Sequence, residues 1–171
     1  MSILLTGHAR RLGDDVNTDY IISSTRKKET IDEQVLKRYL LETVDPGFAS
    51  SVRPGDVLVA GRNFGCGSAM EVAATVILAA GIRAVIAQRF ARTFYRNAVN
   101  NGLLPIECDT SGIDEGDAIS VAAGGTRVTV RDETTGTAVM GTTPSGIAAR
   151  ILSAGGLVPY LRTSGRFEQP G

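Results

Sequence analysis

Residues 57–107 alternate in a pattern that few folds accept. The segments 57–60, 83–87 and 103–107 are short and rich in Val, Ile, Leu and Ala, and between them lie two stretches of helical length, 70–80 and 90–100. Parallel strands need a crossover long enough to carry the chain back, and a helix is the usual one. Strand, helix, strand, helix, strand therefore predicts parallel α/β units. The punctuation agrees. Arg53-Pro54-Gly55-Asp56 makes a turn before the first of these strands, Gly81 is placed to cap the first helix, and Asn101-Gly102 stops the second.

The flanks read differently. Residues 3–7 predict a short opening strand, followed by a polar loop (13–19) and the apolar Tyr20-Ile21-Ile22. Residues 23–29 are charged and have no hydrophobic period, which predicts a loop. Thr30-Ile31-Asp32-Glu33 fits a capping box, with Ile31, Val35, Leu36, Tyr39 and Leu40 as the buried face of the helix it would open; Asp45-Pro46-Gly47 ends that unit. Beyond Gly112 the strands 118–121, 126–131 and 137–140, separated by Gly124-Gly125 and by the turn 132–136, predict an antiparallel meander. A last helix spans 145–153 and ends at Gly155-Gly156, and the polar segment 163–171 is expected to be a flexible tail. The whole is an α/β fold: a single domain over 1–162 with a mixed parallel and antiparallel sheet.

Composition narrows the chemistry. Eighteen Lys+Arg balance eighteen Asp+Glu, so there is no global charge to draw nucleic acid or an anionic membrane, and neither is an expected partner. No apolar stretch reaches the roughly 18 residues of a spanning helix, and no signal-peptide pattern is present, so the cytoplasm is the expected compartment. Two cysteines, Cys66 and Cys108, fall short of the about four thiolates an iron–sulfur cluster takes. With His8 as the one histidine, this chain is expected to bind no metal of its own.

The run Gly61-Arg62-Asn63-Phe64-Gly65-Cys66-Gly67-Ser68-Ala69-Met70-Glu71 is the richest in chemistry. It is not a phosphate-binding P-loop, because no Gly-Lys-Ser/Thr follows, and it misses the dinucleotide spacing. Ser68 and Glu71 fit a capping box at the start of the 70–80 helix. The same position gives a serine hydroxyl among free backbone N–H groups, where an anion or developing negative charge is stabilised. Both readings stand together. Cys66 reads as a small packed residue, while Arg92 and Arg96 share one helix face, either solvated or against a partner subunit.

Four separated motifs occur in one order: Asn17-Thr18-Asp19-Tyr20-Ile21-Ile22, Gly61-Arg62-Asn63-Phe64-Gly65-Cys66-Gly67-Ser68, Phe90-Ala91-Arg92-Thr93-Phe94-Tyr95-Arg96-Asn97 and Asn100-Asn101-Gly102-Leu103-Leu104-Pro105. Together they resemble the small-subunit family of 3-isopropylmalate dehydratase (isopropylmalate isomerase), which corresponds to the swivelling domain of aconitase. The likeness runs from residue 3 to 162, including Ala154-Gly155-Gly156-Leu157-Val158-Pro159-Tyr160-Leu161. The resemblance implies a swivelling β/β/α domain that closes over a [4Fe-4S] cluster held by a large subunit and acts on a small dicarboxylate. Ser68 matches the serine that removes the proton α to a carboxylate, and Asp19 matches an active-site aspartate. Gly67, Ala69 and Met70 would line the substrate from the loop.

Two departures from the family stand out. The serine loop usually continues Ser-Ser-Arg-Glu-His, with the arginine on a substrate carboxylate; here it is Ser68-Ala69-Met70-Glu71-Val72. Where relatives carry an Arg-Tyr-Leu run that sets side-chain specificity, this chain has Thr25-Arg26-Lys27-Lys28. Carboxylate recognition is therefore expected to move to Arg26 and Lys28, with Met70 as an apolar pocket wall. The implied activity is a heteromeric hydro-lyase of leucine biosynthesis acting on a branched 2-hydroxy diacid. Homoaconitase, citraconate hydratase and 2,3-dimethylmalate dehydratase subunits, and a non-catalytic anion-binding or assembly module, stay open beside it.

Overall fold

In a computed structural model describing residues 2–124 and 127–164, seven strands follow one another as β1 (Ser2–Arg11), β2 (Val57–Ala60), β3 (Ala84–Ala87), β4 (Leu104–Glu107), β5 (Ala118–Gly124), β6 (Arg127–Asp132) and β7 (Ala138–Thr142). They close into a barrel in the order β1-β2-β3-β4-β7-β6-β5. The mixed sheet read from sequence is thus present, but it is closed. Two junctions close it. β1 runs on past the expected five residues, so that Ala9–Arg11 pairs parallel with β2 while its earlier part pairs antiparallel with β5. On the other side Glu107 of β4 registers with Thr142 of β7.

The apolar runs in β2 and β3 have a direct cause: every residue in both strands is buried. One face looks into the barrel, where Val57, Val59, Ala84, Ile86, Ile106, Ile119, Val121, Val128 and Val130 pack together. The other face, with Leu58, Ala60, Val85 and Ala87, lies under helices. Strands covered on both sides lose the polar alternation of a half-exposed sheet.

The helices are α1 (Thr18–Ile21), α2 (Ser24–Glu29), α3 (Glu33–Leu36, continued by a 3-10 turn at Lys37–Tyr39), α4 (Phe48–Ser51), α5 (Glu71–Ala79), α6 (Arg92–Asn101), α7 (Gly146–Ser153) and α8 (Leu157–Ser164). α5 and α6 are the crossovers predicted from 57–107, and Ala73, Val76, Ile77, Phe94 and Ala98 cover the outer face of the sheet. Gly102 adopts φ 83° and ends α6 in the left-handed conformation that favours glycine. Among the described residues no helix is long and apolar enough to cross a membrane.

Several local expectations need correction. Residues 23–29 are not a loop: Ser23 caps α2 by accepting from the Arg26 amide at 3.3 Å. Asp32 rather than Thr30 caps α3, because Thr30 Oγ1 is taken by the Asp32 amide (3.1 Å) and Asp32 Oδ1 by the Gln34 amide (2.9 Å). Ile31, assigned to the buried face, is 94% exposed. α8 was not anticipated. Its Pro159 sits in the first turn, where no intrahelical N–H donor is required. Thr163 and Ser164 belong to that helix rather than to a tail, while residues 165–171 lie outside the described residues, as does the Gly125-Thr126 turn.

Candidate active site

The chain leaving β1 and the chain leaving β2 are laced together. Gly61 N–H donates to Gly13 O (3.1 Å), Asp15 N–H to Arg62 O (2.8 Å), Gly65 N–H to Val16 O (2.8 Å) and Thr18 N–H to Cys66 O (2.9 Å). Side chains extend the lacing: the Arg62 amide donates to Asp14 Oδ1 (2.7 Å) and Asn63 Nδ2 to Asp15 Oδ1 (3.0 Å). Asp15 and Asn63 both hold positive φ, 54° and 59°. Asp and Asn tolerate that conformation better than other side chains, and each here is fixed by the other loop.

A third segment joins at Phe64, whose N–H donates to Arg89 O (3.0 Å) and whose carbonyl accepts from the Ala91 amide (2.9 Å). Its ring is fully buried and meets Phe90 and Phe94 edge-on, with centroids 5.9 and 5.0 Å away. Gly65 beside it has φ 81°, and a Cβ there would collide with Phe94. Three of the sequence motifs therefore converge at the carboxyl ends of β1, β2 and β3, the end at which parallel α/β sheets hold their ligands.

Ser68 lies on this laced loop, exposed together with Gly67 and Ala69. It does not cap α5. The helix begins at Glu71, with Met70 in the cap position and no side-chain cap bond. Gly67 turns the chain at φ 90°, where a Cβ would stand 2.5 Å from Asn17 Nδ2. The Thr18 hydroxyl then holds the Ser68 carbonyl at 2.8 Å. Together these keep residues 66–69 against α1 and prevent them from winding into α5. As a result the Ser68 hydroxyl and the amides of Gly67, Ser68 and Ala69 have no hydrogen-bond partner among the described residues. Met70 is 6% exposed, its side chain packed in the core with the α5 residues.

Asp19 stands in the first turn of α1, half-buried, one residue after Thr18. Asn17 caps α1 by accepting from the Asp19 amide (2.9 Å), and Ser24 Oγ donates to Asp19 Oδ1 (2.7 Å). Asn17, Thr18 and Ser24 are the supporting residues that sequence reasoning passed over, although Asn17 and Thr18 open one of its own motifs. Arg26 is already engaged: it holds Glu42 and Glu29 and lies over Tyr39. Lys28 is exposed and makes no ion pair among the described residues. Lys27 lines a groove of about 340 Å³ with Ile31, Leu36, Glu71, Val72 and Thr75.

Neither cysteine is poised as a nucleophile. Burial, aided by the Asp15 charge, pushes the Cys66 thiol up; burial and the Asp109 charge push Cys108 up to about 12. Both hold their protons at neutral pH, whereas a thiolate is what binds metal or attacks carbon. No group of three His, Cys, Asp or Glu among the described residues is arranged to hold a metal ion. His8 lines a separate hollow of about 660 Å³ beside Arg53, Asp56 and Glu133 at the amino end of β2. The donor set of this chain does not fit an iron–sulfur cluster. What the mouth offers is a free hydroxyl, partnerless amides and an oriented carboxylate, a set suited to moving a proton on an anionic substrate.

Residues 15–111 match the family of the aconitase C-terminal domain. The chain is 41% identical over 160 residues to the methanogen homoaconitase small subunit of Methanocaldococcus jannaschii, covering 94% of this chain and 92% of that protein. It is 40% identical over 161 residues to a 3-isopropylmalate dehydratase small subunit of Archaeoglobus fulgidus, covering 94% and 96%. Among solved structures, that of 3-isopropylmalate dehydratase (LeuD) from Methanocaldococcus jannaschii superposes with a TM-score of 0.89 at 41% identity, covering 94% of this chain and 95% of that one.

Proposed function

The chain belongs to the aconitase C-terminal domain family, and from that premise we propose that it is the small subunit of a hydro-lyase of the 3-isopropylmalate dehydratase type. In this reading it works in the cytoplasm with a large subunit, isomerising a branched 2-hydroxy diacid by dehydration and rehydration, as leucine biosynthesis requires. The observation that carries the reading is the free Ser68 hydroxyl, on a loop tied to α1 next to Asp19.

As the alkoxide, Ser68 Oγ takes the proton from the carbon α to a carboxylate and returns to the hydroxyl, while the electron pair of that C–H bond forms the alkene and the substrate's hydroxide leaves. An alkoxide is out of reach for an unassisted serine at neutral pH, so the amides of Gly67 and Ala69 hold the negative charge on Oγ before the transfer, once its own proton has gone to solvent. Asp19, oriented by Ser24, directs its second oxygen toward the reacting groups. Lys28 meets a substrate carboxylate where the family's loop arginine is missing. Met70 supplies no charge and fixes the loop from below. The iron–sulfur cluster that the family's chemistry calls for is assigned to the large subunit, because the donor set here does not fit it.

The likeness to a homoaconitase small subunit supports a second reading, in which the chain serves a hydro-lyase of the homoaconitase type. Co-expression with a large subunit, anaerobic iron reconstitution and ultraviolet absorbance of the conjugated alkene separate the two by substrate. Activity needing both chains, and falling at least about 100-fold in Ser68→Ala, is the expected result. A chain that never associates with a large subunit would end the proposal.

A further inference from the structure

α2 carries Lys28 and the serine that orients Asp19, yet none of its residues is buried. Six residues are too few to form a stable helix alone, and without a buried face α2 gains little from apolar packing. Something else must hold it, and the Arg26 side chain is placed to do so. Arg26 Nε donates to Glu42 Oε1 at 2.8 Å and Nη2 to Glu42 Oε2 at 3.3 Å, a two-pronged grip on one carboxylate. Nη1 donates to Glu29 at 3.3 Å, and the guanidinium lies 3.9 Å above the Tyr39 ring. Both edges and one face of the fork are in use. Glu42 and Tyr39 are themselves fixed to the body, because the intervening Leu41 is fully buried and its amide donates to Ile21 O of α1 at 2.9 Å. The Glu42 bonds also raise the Arg26 pKa well above its ordinary value, so the guanidinium keeps its charge.

We propose that Arg26 is a positioning residue: its hold on Glu42 and Tyr39 clamps α2 to the body and, through Ser24, fixes the Asp19 carboxylate without touching substrate. The proposal rests on the hydro-lyase reading for its catalytic meaning, but the clamp itself is a property of the free chain. It accounts for a cationic segment in which Arg26 faces inward and Lys28 faces solvent.

Glu42 decides the matter, because a carboxylate behind the guanidinium has no way to bind an anionic substrate. Steady-state kinetics of the reconstituted pair should give Glu42→Gln and Arg26→Ala the same signature: kcat lower by about tenfold with KM nearly unchanged, since a misplaced Asp19 affects the chemical step. The double variant should be no worse than either single one. Arg26→Lys should recover little, because an ammonium cannot span both oxygens of Glu42. Hydrogen exchange on the free small subunit supplies the arm independent of activity: amides of 24–29 should exchange at least about fivefold faster in both single variants. If Arg26→Ala raises KM while Glu42→Gln behaves as wild type, Arg26 is a substrate ligand and the proposal is wrong. Unchanged exchange in both variants overturns it equally. A wild-type pair without dehydratase activity, combined with faster exchange in the variants, would refute the enzymatic reading while leaving the clamp intact.

Discussion

Thr18 and Ser68 stand fifty positions apart in sequence, and the hydroxyl of one donates to the carbonyl of the other at 2.8 Å. Thr18 is 1% exposed. The bond thus runs from a buried donor to an exposed loop, and it ties the loop that carries the free hydroxyl to the helix that carries Asp19. Thr18→Val keeps the shape and removes the donor, leaving a carbonyl short of its partner. Thermal denaturation should register a loss of about 1–2 kcal/mol. Turnover of the reconstituted pair should drop further than stability alone explains, and a wild-type kcat in the folded variant would deny the bond its role at the mouth.

Gly65 combines a left-handed backbone with direct contact to Phe94. Gly65→Ala must accept an unfavourable φ and displace a buried ring, and urea titration should show a cost of about 2–4 kcal/mol. Gly112 is the control: a Cβ added there would meet no atom within 4 Å, and its φ is not left-handed. Gly112→Ala should lie within about 0.5 kcal/mol of wild type.

The thiols should separate by reactivity. Cys66 is half-buried and Cys108 is 9% exposed with its pKa up at about 12. Maleimide at pH 8, followed by mass spectrometry, should label Cys66 alone in the folded chain and both after denaturation. The sign of the linkage follows from the raised value. The stability contributed by the neutral Cys108 thiol is complete below the unfolded pKa of roughly 8.5 and disappears as pH climbs toward about 12. Two labels in the native protein would contradict the burial.

Asp132 ends β6 at 2% exposure. Burial alone would push its carboxyl up, but bonds from Thr135 and Thr134 (the amides at 3.2 and 2.9 Å from Oδ1) outweigh it and the net shift is downward. A lowered folded pKa gives stability that is present above the unfolded value of about 3.9 and lost as pH falls through the folded one. Asp132→Asn should destabilise the chain by about 1–2 kcal/mol at pH 7 and by much less near pH 3. An equal cost at both pH values in guanidinium titrations would mean that charge plays no part.

The parallel part of the fold was legible because burial on both faces writes uninterrupted apolar runs, as in Val57-Leu58-Val59-Ala60, and because Gly81 and Gly102 mark helix ends. Closure was not legible. It depends on the length of β1 and on the Glu107–Thr142 register, neither of which leaves a periodic trace. α2 escaped notice for a related reason: a helix that buries nothing has no hydrophobic period to read. At the mouth, sequence found Ser68 and Asp19 as motif residues but let Ser68 cap a helix as well, which it does not do. The competing influence is tertiary. Gly67 and Thr18 hold the loop back from α5, and no local pattern encodes a bond reaching across fifty residues.

Each of the seven strands has a neighbour on both sides, and strand edge is left along the seam where β4 and β7 register at Glu107 and Thr142. An open sheet edge invites strand-to-strand aggregation, and closure into a barrel leaves little of it. The same closure leaves little backbone for strand addition as a way of assembling. Docking on this chain therefore falls chiefly to side chains and loops, so partner choice can change by surface substitution without disturbing the sheet.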